Sequence, residues 1–172
     1  MKVLNQLGKT HYEMGNYEDS EAVHSQQQAL AHQIFDHLGE MRAFYGMGLA
    51  LWKEKHLEEA KDMFKNYCDL AEEFCEEREV ALAGGMLGGV NEELGLYSEA
   101  FVSFKKQISK LRDILSEAPA DKAVVMSLCM AFGNLGNVYR KWGKLPLCFN
   151  AVSKQLKLAT DLKSIKSECE SR

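Results

Sequence analysis

The chain has 172 residues, of which 46% are hydrophobic and 27% are charged, with 2 prolines and 13 glycines. This composition excludes an intrinsically disordered chain, because such chains have too few apolar residues to build a core. The sequence has no run of about 18 apolar residues, so we expect no membrane insertion. The net charge of -4 argues against a nucleic-acid partner.

A small-residue motif recurs along the chain at spacings of 40, 40 and 48 residues. It is a Leu-Gly or Met-Gly pair whose glycines are Gly8, Gly48, Gly88 and Gly136. A turn follows each of them seven residues later, at Gly15, Lys55, Gly95 and Gly143. Beyond each turn, a bulky residue follows a small one by four positions, at His24, Phe64, Phe104 and Val152. Apolar spacings of three and four predict helices, and no alternating pattern predicts a strand. The predicted fold class is therefore all-α, with a helix, a short turn and a longer helix in each unit.

The glycines have two distinct structural uses in this pattern. A glycine inside a helix costs about 1 kcal/mol relative to alanine, so close packing of the second helix must compensate for it. A glycine in the turn supplies a positive φ without steric cost and ends the first helix. The run Gly84 to Gly89 lacks the Lys-Ser or Lys-Thr of a phosphate loop and lies within a predicted helix, which favours close packing over nucleotide binding.

Two segments carry the motif most completely. They are Leu135-Gly136-Asn137-Val138-Tyr139 with Gly143, and Gly95-Leu96-Tyr97-Ser98-Glu99-Ala100-Phe101. They resemble the tetratricopeptide repeat, and the 40-residue spacing is similar to the long-repeat subclass of the Leu-Gly-Asn spindle adaptor, rapsyn, kinesin light chains and axonemal dynein-associated proteins. The resemblance implies a right-handed α-solenoid of antiparallel helix pairs.

We predict one domain of four repeats, at about 1–38, 39–78, 79–121 and 122–165, followed by a short polar tail, 163–172. The third spacing holds eight extra residues, which places an insertion near 113–122 around Pro119. Proline should end or bend the preceding helix there. The insertion is expected to be a simple loop, with a loop that contacts a partner as the alternative.

In the resembled family, the first helices of the pairs line a concave groove that binds a peptide or helix of a partner protein. The positions that correspond to groove positions and carry suitable side chains are Tyr12, Tyr45, Trp52, Asn137 and Arg140. Aromatic rings and arginine are enriched where interfaces are tightest. The alternative for each is packing against neighbouring helices or exposure to solvent.

No residue pattern predicts catalysis, a metal site or a cofactor. The five histidines form no His-Glu-x-x-His motif, and the five cysteines are odd in number with no Cys-x-x-Cys pair, which favours a reduced, intracellular setting. Cys68 and Cys75, seven residues apart, would share a helix face, more plausibly as small apolar residues than as metal ligands.

Charge is unevenly distributed. Residues 1–100 contain 8 Lys and Arg against 19 Asp and Glu, whereas residues 101–172 contain 13 against 6. Solvated helix faces explain this most simply, and association with oppositely charged surfaces is the alternative.

The expected function is that of a non-catalytic scaffold in the cytoplasm. The alternative is a structural subunit that docks onto a cytoskeletal, ciliary or motor assembly through its ends and charged surfaces. We also expect the chain to belong to a larger complex or a longer solenoid, because Met1 lies almost inside the first predicted helix.

Overall fold

The computed structural model describes residues 1–119 and 121–170, with side chains as far as Thr160. Eight helices follow one another in this part of the chain, which contains no strand, so the all-α prediction is confirmed. They are α1 (Lys2–Glu13), α2 (Tyr17–Gln33), α3 (His37–Lys53), α4 (Leu57–Glu73), α5 (Glu77–Glu93), α6 (Tyr97–Glu117), α7 (Lys122–Lys141) and α8 (Leu145–Glu170). None of the described helices has the length and apolarity that a membrane span requires.

Consecutive helices pack against one another from α1 to α4 and from α5 to α8. Contacts divide the chain into two compact units, Met1–Glu76 with α1 to α4 and Glu77–Arg172 with α5 to α8. Organisation as one four-repeat domain therefore stays a prediction. Residues 163–170 of the predicted tail belong to α8, and the last two residues lie outside the described ones.

The turn inside each pair has the backbone that the glycine pattern predicts. Gly15, Gly95 and Gly143 have φ angles of 82°, 77° and 75°. Lys55 occupies the same position in the second pair with a φ of 67°. A lysine there has a Cβ that glycine lacks, so this turn holds backbone strain that the other three do not.

The turns between pairs also use left-handed backbone, which the sequence did not indicate. Phe35 and Cys75 both have a φ of 56°. Since α4 ends at Glu73, Cys75 lies in a turn and is exposed, whereas Cys68 is buried within α4. The expectation that these two cysteines share a helix face is therefore wrong.

Most of the eight extra residues of the third spacing are helical. α6 has 21 residues and α7 has 20, against 17 in each of α2 to α5. These two helices account for seven of the eight, so the expectation of an inserted loop is wrong. α6 ends at Glu117, two residues before Pro119, as the proline predicts.

The core of each pair forms where a large side chain of the second helix meets a glycine of the first. A Cβ added to Gly48 would lie 2.7 Å from the Phe64 ring, and one added to Gly88 would lie 2.6 Å from the Phe104 ring. Both rings are fully buried. The close approach that these glycines predicted is thus confirmed.

The first pair has a polar side chain at the same position. His24 is buried between Gly8 of α1 and Gly46 of α3, whose added Cβ atoms would meet its ring at 2.5 and 2.4 Å. Its Nδ1 lies 3.2 Å from Gln27 Oε1, and Gln27 Nε2 donates to the Gly39 carbonyl at 2.9 Å. Burial lowers the pKa of His24 below its ordinary value of 6.5, because the charged imidazolium loses hydration there.

Candidate partner-binding surface

Three of the predicted contact residues lie in the first unit, on the first helices of its two pairs. Tyr12 lies near the end of α1, and Tyr45 and Trp52 lie on α3. Tyr12 and Trp52 occupy equivalent positions, 40 residues apart. We call these three side chains the first-unit face. Each is partly buried, so each presents one side to solvent while the other packs.

Ring contacts hold the three aromatic side chains of the first-unit face against the second helices. Tyr12 meets Tyr17 edge-on with ring centroids 5.5 Å apart. Tyr45 lies 5.7 Å from Tyr67, and Trp52 packs edge-on against Phe64 at 5.9 Å. Because the rings are fixed in this way, a ligand would order few additional rotamers when it binds them. One side of each ring therefore packs against a neighbouring helix, which was the alternative to contact with a partner.

The other two predicted residues lie in the second unit. Asn137 and Arg140 are exposed on α7. Next to Arg140, Lys141 Nζ lies 2.9 Å from Glu92 Oε1 of α5. This ion pair engages the lysine, whereas the adjacent Arg140 is exposed. Of the five predicted residues, three thus lie in the first unit and two in the second.

Two glutamines that the sequence analysis did not single out lie on the second helices of the second unit, where each faces a glycine of an inner helix. Gly85 of α5 faces Gln107 of α6, and Gly133 of α7 faces Gln155 of α8. In the second pair, the matching positions are held by Tyr45 and Tyr67. We call Gln107, Asn137, Arg140 and Gln155 the second-unit face. Comparison of equivalent positions, rather than a search for aromatic residues, is the signal that could have found the glutamines.

Gln107 borders a cavity of about 250 Å³ between α5, α6 and α7. The apolar part of its wall includes Leu82, Ile114 and Val124. The Gln107 Oε1 atom is buried and has no hydrogen-bond partner. An unsatisfied buried acceptor costs about 1–3 kcal/mol. The volume suits a single large side chain better than a cofactor.

Arg78 lines the same cavity and forms an ion pair with Asp121. Arg78 Nη2 donates to Asp121 Oδ2 at 2.8 Å, and the Asp121 side chain also caps α7 by accepting from the backbone nitrogens of Ala123 and Val124. The hydrogen bond from Arg78 holds the pKa of Asp121 below its ordinary value. Asp121 therefore stays ionised near neutral pH, and the cavity opens beside a fixed charge pair.

The described residues contain no group of three or more His, Cys, Asp or Glu side chains arranged to hold a metal ion. The Gly84 to Gly89 run lies inside α5, without a loop of free backbone nitrogens. A Cβ added to Gly84 would lie 3.1 Å from the Ser103 carbonyl, so this glycine permits close approach of α5 and α6.

Comparison with known proteins identifies the repeat. The family model described as tetratricopeptide repeat matches residues 1–73, which span α1 to α4. Residues 1–73 therefore carry tetratricopeptide repeats. Repeats of this family are typically non-catalytic and mediate contacts between proteins. A comparison with curated protein sequences finds no match.

Solved structures share the fold over nearly the whole chain. The apo form of RapI matches with a TM-score of 0.82 and 13% identity, over 98% of this chain and 59% of RapI. MamA matches with a TM-score of 0.67 and 18% identity, over 95% of this chain and 80% of MamA. A kinesin light chain protein of Podosopora anserina, with nearly identical TPR-like repeats, matches with a TM-score of 0.55 and 10% identity, over 99% of this chain and 97% of its own. At these identities the likeness establishes the fold.

Proposed function

We propose that the chain is a non-catalytic adaptor that binds an extended or helical peptide of another protein along its inner helices. The observation that carries this proposal is the first-unit face, where Tyr12, Tyr45 and Trp52 are partly exposed and braced by rings behind them. Rigid aromatic side chains contribute most of the energy in many protein interfaces.

The two faces favour different parts of a ligand. The first-unit face offers flat apolar surfaces that suit the aliphatic and aromatic side chains of a peptide. On the second-unit face, the Asn137 amide can both donate to and accept from a peptide backbone, and Arg140 can bind a carboxylate through two hydrogen bonds. We therefore propose a ligand with apolar residues in one part and an acidic residue in another.

Affinity capture with paired variants tests the first-unit face. Tyr45→Ala with Trp52→Ala should abolish capture of the partners that the unaltered protein binds, as identified by mass spectrometry. Because both rings pack against α4, the double variant needs a thermal melt by circular dichroism to show that it is folded. Phe35→Ala is the matched control, since Phe35 is an exposed aromatic residue outside the inner helices. Retained capture by the folded double variant would reject the proposal.

A milder pair of changes tests the second-unit face without disturbing the core. Asn137→Ala with Arg140→Glu alters only exposed side chains, so we expect unchanged stability and weaker capture of the same partners. If capture were unchanged, peptide binding would be confined to the first unit.

The second candidate is a structural subunit of a cytoskeletal, ciliary or motor assembly, with a cytoskeletal or ciliary rather than a general cytoplasmic location. The uneven charge distribution supports it, because the basic residues are concentrated after residue 100. Here Lys105→Glu with Lys106→Glu should release the protein from its assembly in co-sedimentation, and an unchanged distribution would count against this candidate.

A further inference from the structure

The last described helix, α8, has an apolar stripe that is exposed to solvent. Phe149 is 77% exposed and Leu156 is 65% exposed. They are seven positions apart, which is about two helical turns, so they lie along one side of the helix. Large apolar side chains that are exposed on one side of a helix are of the kind that proteins use to bind other proteins.

The equivalent stripe on α6 shows what such a surface packs against. Phe101 and Ile108 stand 48 residues before Phe149 and Leu156, at the same repeat positions. Ile108 is only 6% exposed, and Phe101 contacts the rings of Tyr139 and Trp142 on α7 at 5.7 and 6.3 Å. The stripe on α6 is thus covered by the first helix of the following pair.

The first helix, α1, has the complementary feature. Val3, Leu7 and Met14 occupy the repeat positions that Ala131, Leu135 and Trp142 hold on α7. Ala131 and Leu135 are buried, whereas Val3 is 79% and Met14 is 68% exposed. α1 therefore exposes apolar residues at the positions where a first helix contacts the second helix before it.

The segments that contain α1 and α8 have net charges of opposite sign. The segment with α1 and α2, residues 1–33, contains two basic and four acidic residues. The segment with α7 and α8 as far as Thr160, residues 122–160, contains six basic and no acidic residues. Opposite charges around two apolar surfaces favour their encounter and disfavour pairing of like surfaces.

We propose that α8 of one copy of this protein binds α1 of a second copy, in the way that α6 binds α7 within the chain. Phe149 takes the place of Phe101 in that contact, and Met14 takes the place of Trp142. The contact is heterologous, so each copy keeps one unused α1 and one unused α8 surface, and further copies add head to tail. This self-association goes beyond peptide binding and does not depend on it.

Two complementary variants test the proposal by analytical ultracentrifugation and light scattering. The tail variant carries Phe149→Asp and Leu156→Asp, and the head variant carries Val3→Asp and Met14→Asp. The unaltered protein should show a mass that rises with concentration above the 19.4 kDa of one chain. Each variant alone should stay at the mass of one chain, because one of its two contact surfaces is lost.

The mixture of the two variants distinguishes the modes of association. An equimolar mixture should form a complex of twice the single-chain mass and no larger, since one functional α8 and one functional α1 remain. Val102→Asp is the control, because Val102 is exposed on α6 outside the stripe and should leave association unchanged. Circular dichroism checks that all variants are folded.

Three results would overturn the proposal. The unaltered protein could remain at 19.4 kDa at every concentration. The head variant could associate as well as the unaltered protein, which would indicate pairing of α8 with α8. The mixture could remain at the mass of a single chain, which would exclude the contact between α8 and α1.

Discussion

Replacement of Gly88 by alanine tests whether the repeat glycine is needed for close packing of the helix pair. An alanine Cβ at this position would lie 2.6, 2.7 and 2.8 Å from three atoms of the Phe104 ring. Normal contact begins near 3.4 Å, so the ring would have to move by about 0.8 Å. Phe104 is buried in the core of the second unit and has no open space into which it could swing.

The expected magnitude follows from two opposing effects. Overpacking a close-packed core costs about 1–3 kcal/mol. Alanine recovers up to about 1 kcal/mol, because it is the better helix former and glycine loses more backbone freedom on folding. After subtraction of about 1 kcal/mol for helix propensity, we expect Gly88→Ala to lower the free energy of unfolding by up to about 2 kcal/mol.

Gly136 is the matched control at the same repeat position. A Cβ there meets one atom within 3.4 Å, Val152 Cγ2 at 3.1 Å, and Val152 is exposed enough to change its rotamer. Gly136→Ala should thus leave stability unchanged or raise it by about 0.5–1 kcal/mol through helix propensity. Urea denaturation followed by circular dichroism measures both variants from the shift in midpoint at constant slope.

A double-mutant cycle identifies the cause of the difference. Phe104→Val gives the Gly88 pair the side chain that faces Gly136, so Gly88→Ala should cost at least about 1 kcal/mol less in that background. Equal effects of the two glycine changes, or no coupling to Phe104, would show that close packing against the ring is not the reason for the glycine.

Three further predictions concern polar and turn positions. Burial lowers the pKa of His24 in the folded state, so the unfolded state takes up the proton first as the pH falls. The free energy of unfolding should therefore have its full value above pH 6.5 and decrease below it. His24→Phe should flatten this part of the pH profile in urea titrations, and an unchanged slope would contradict the prediction. Lys55→Gly should raise the free energy of unfolding by about 1 kcal/mol, because glycine adopts the left-handed backbone without strain. Gly95→Lys should lower it by a similar amount. Effects of the same sign for both variants would exclude backbone strain as the cause. Asp36→Ala removes the 2.9 Å hydrogen bond from the Gly39 nitrogen that caps α3 and should cost about 1 kcal/mol in thermal unfolding, with Asp36→Asn as the variant that retains the bond.

Local chemistry was sufficient to predict the helices and the turns within the pairs. The turn glycines at Gly15, Gly95 and Gly143 have few alternatives to a positive φ at a helix end, and Pro119 cannot continue a helix. Phe35 and Cys75 escaped prediction because an aromatic residue or a cysteine carries no local preference for left-handed backbone. Their conformation follows from the need to turn the chain between one helix and the next.

The length of a helix was harder to predict than its existence. Eight extra residues around Pro119 suggested a loop, but α6 continues to Glu117 and α7 begins at Lys122. Residues such as Leu111 and Ile114 lie on one side of α6 and are buried in the core, so extending the helix buries apolar surface that a loop would expose. The apolar periodicity that continues through Leu111 and Ile114 was the signal for a longer helix, whereas Pro119 suggested a loop.

The binding surface was only partly predictable because each inner position depends on its partner in the second helix. Tyr45 is matched by Tyr67, whereas Gly85 and Gly133 are matched by Gln107 and Gln155. The size of the side chain on the first helix determines what the second helix carries. In the second pair a tyrosine ring packs against another tyrosine ring, and in the third and fourth pairs a glutamine lies over a glycine.

This pairing determines what a ligand would touch in each unit. Where the first helix carries a tyrosine, the ligand meets an apolar ring. Where it carries a glycine, the amide of the second helix lies over the bare backbone, and the Gln107 Oε1 atom is buried there without a hydrogen-bond partner. The inner positions are therefore apolar in the second pair and polar in the third and fourth, although the helices repeat, so a peptide bound along α5 or α7 should approach amide groups where one bound along α3 approaches rings.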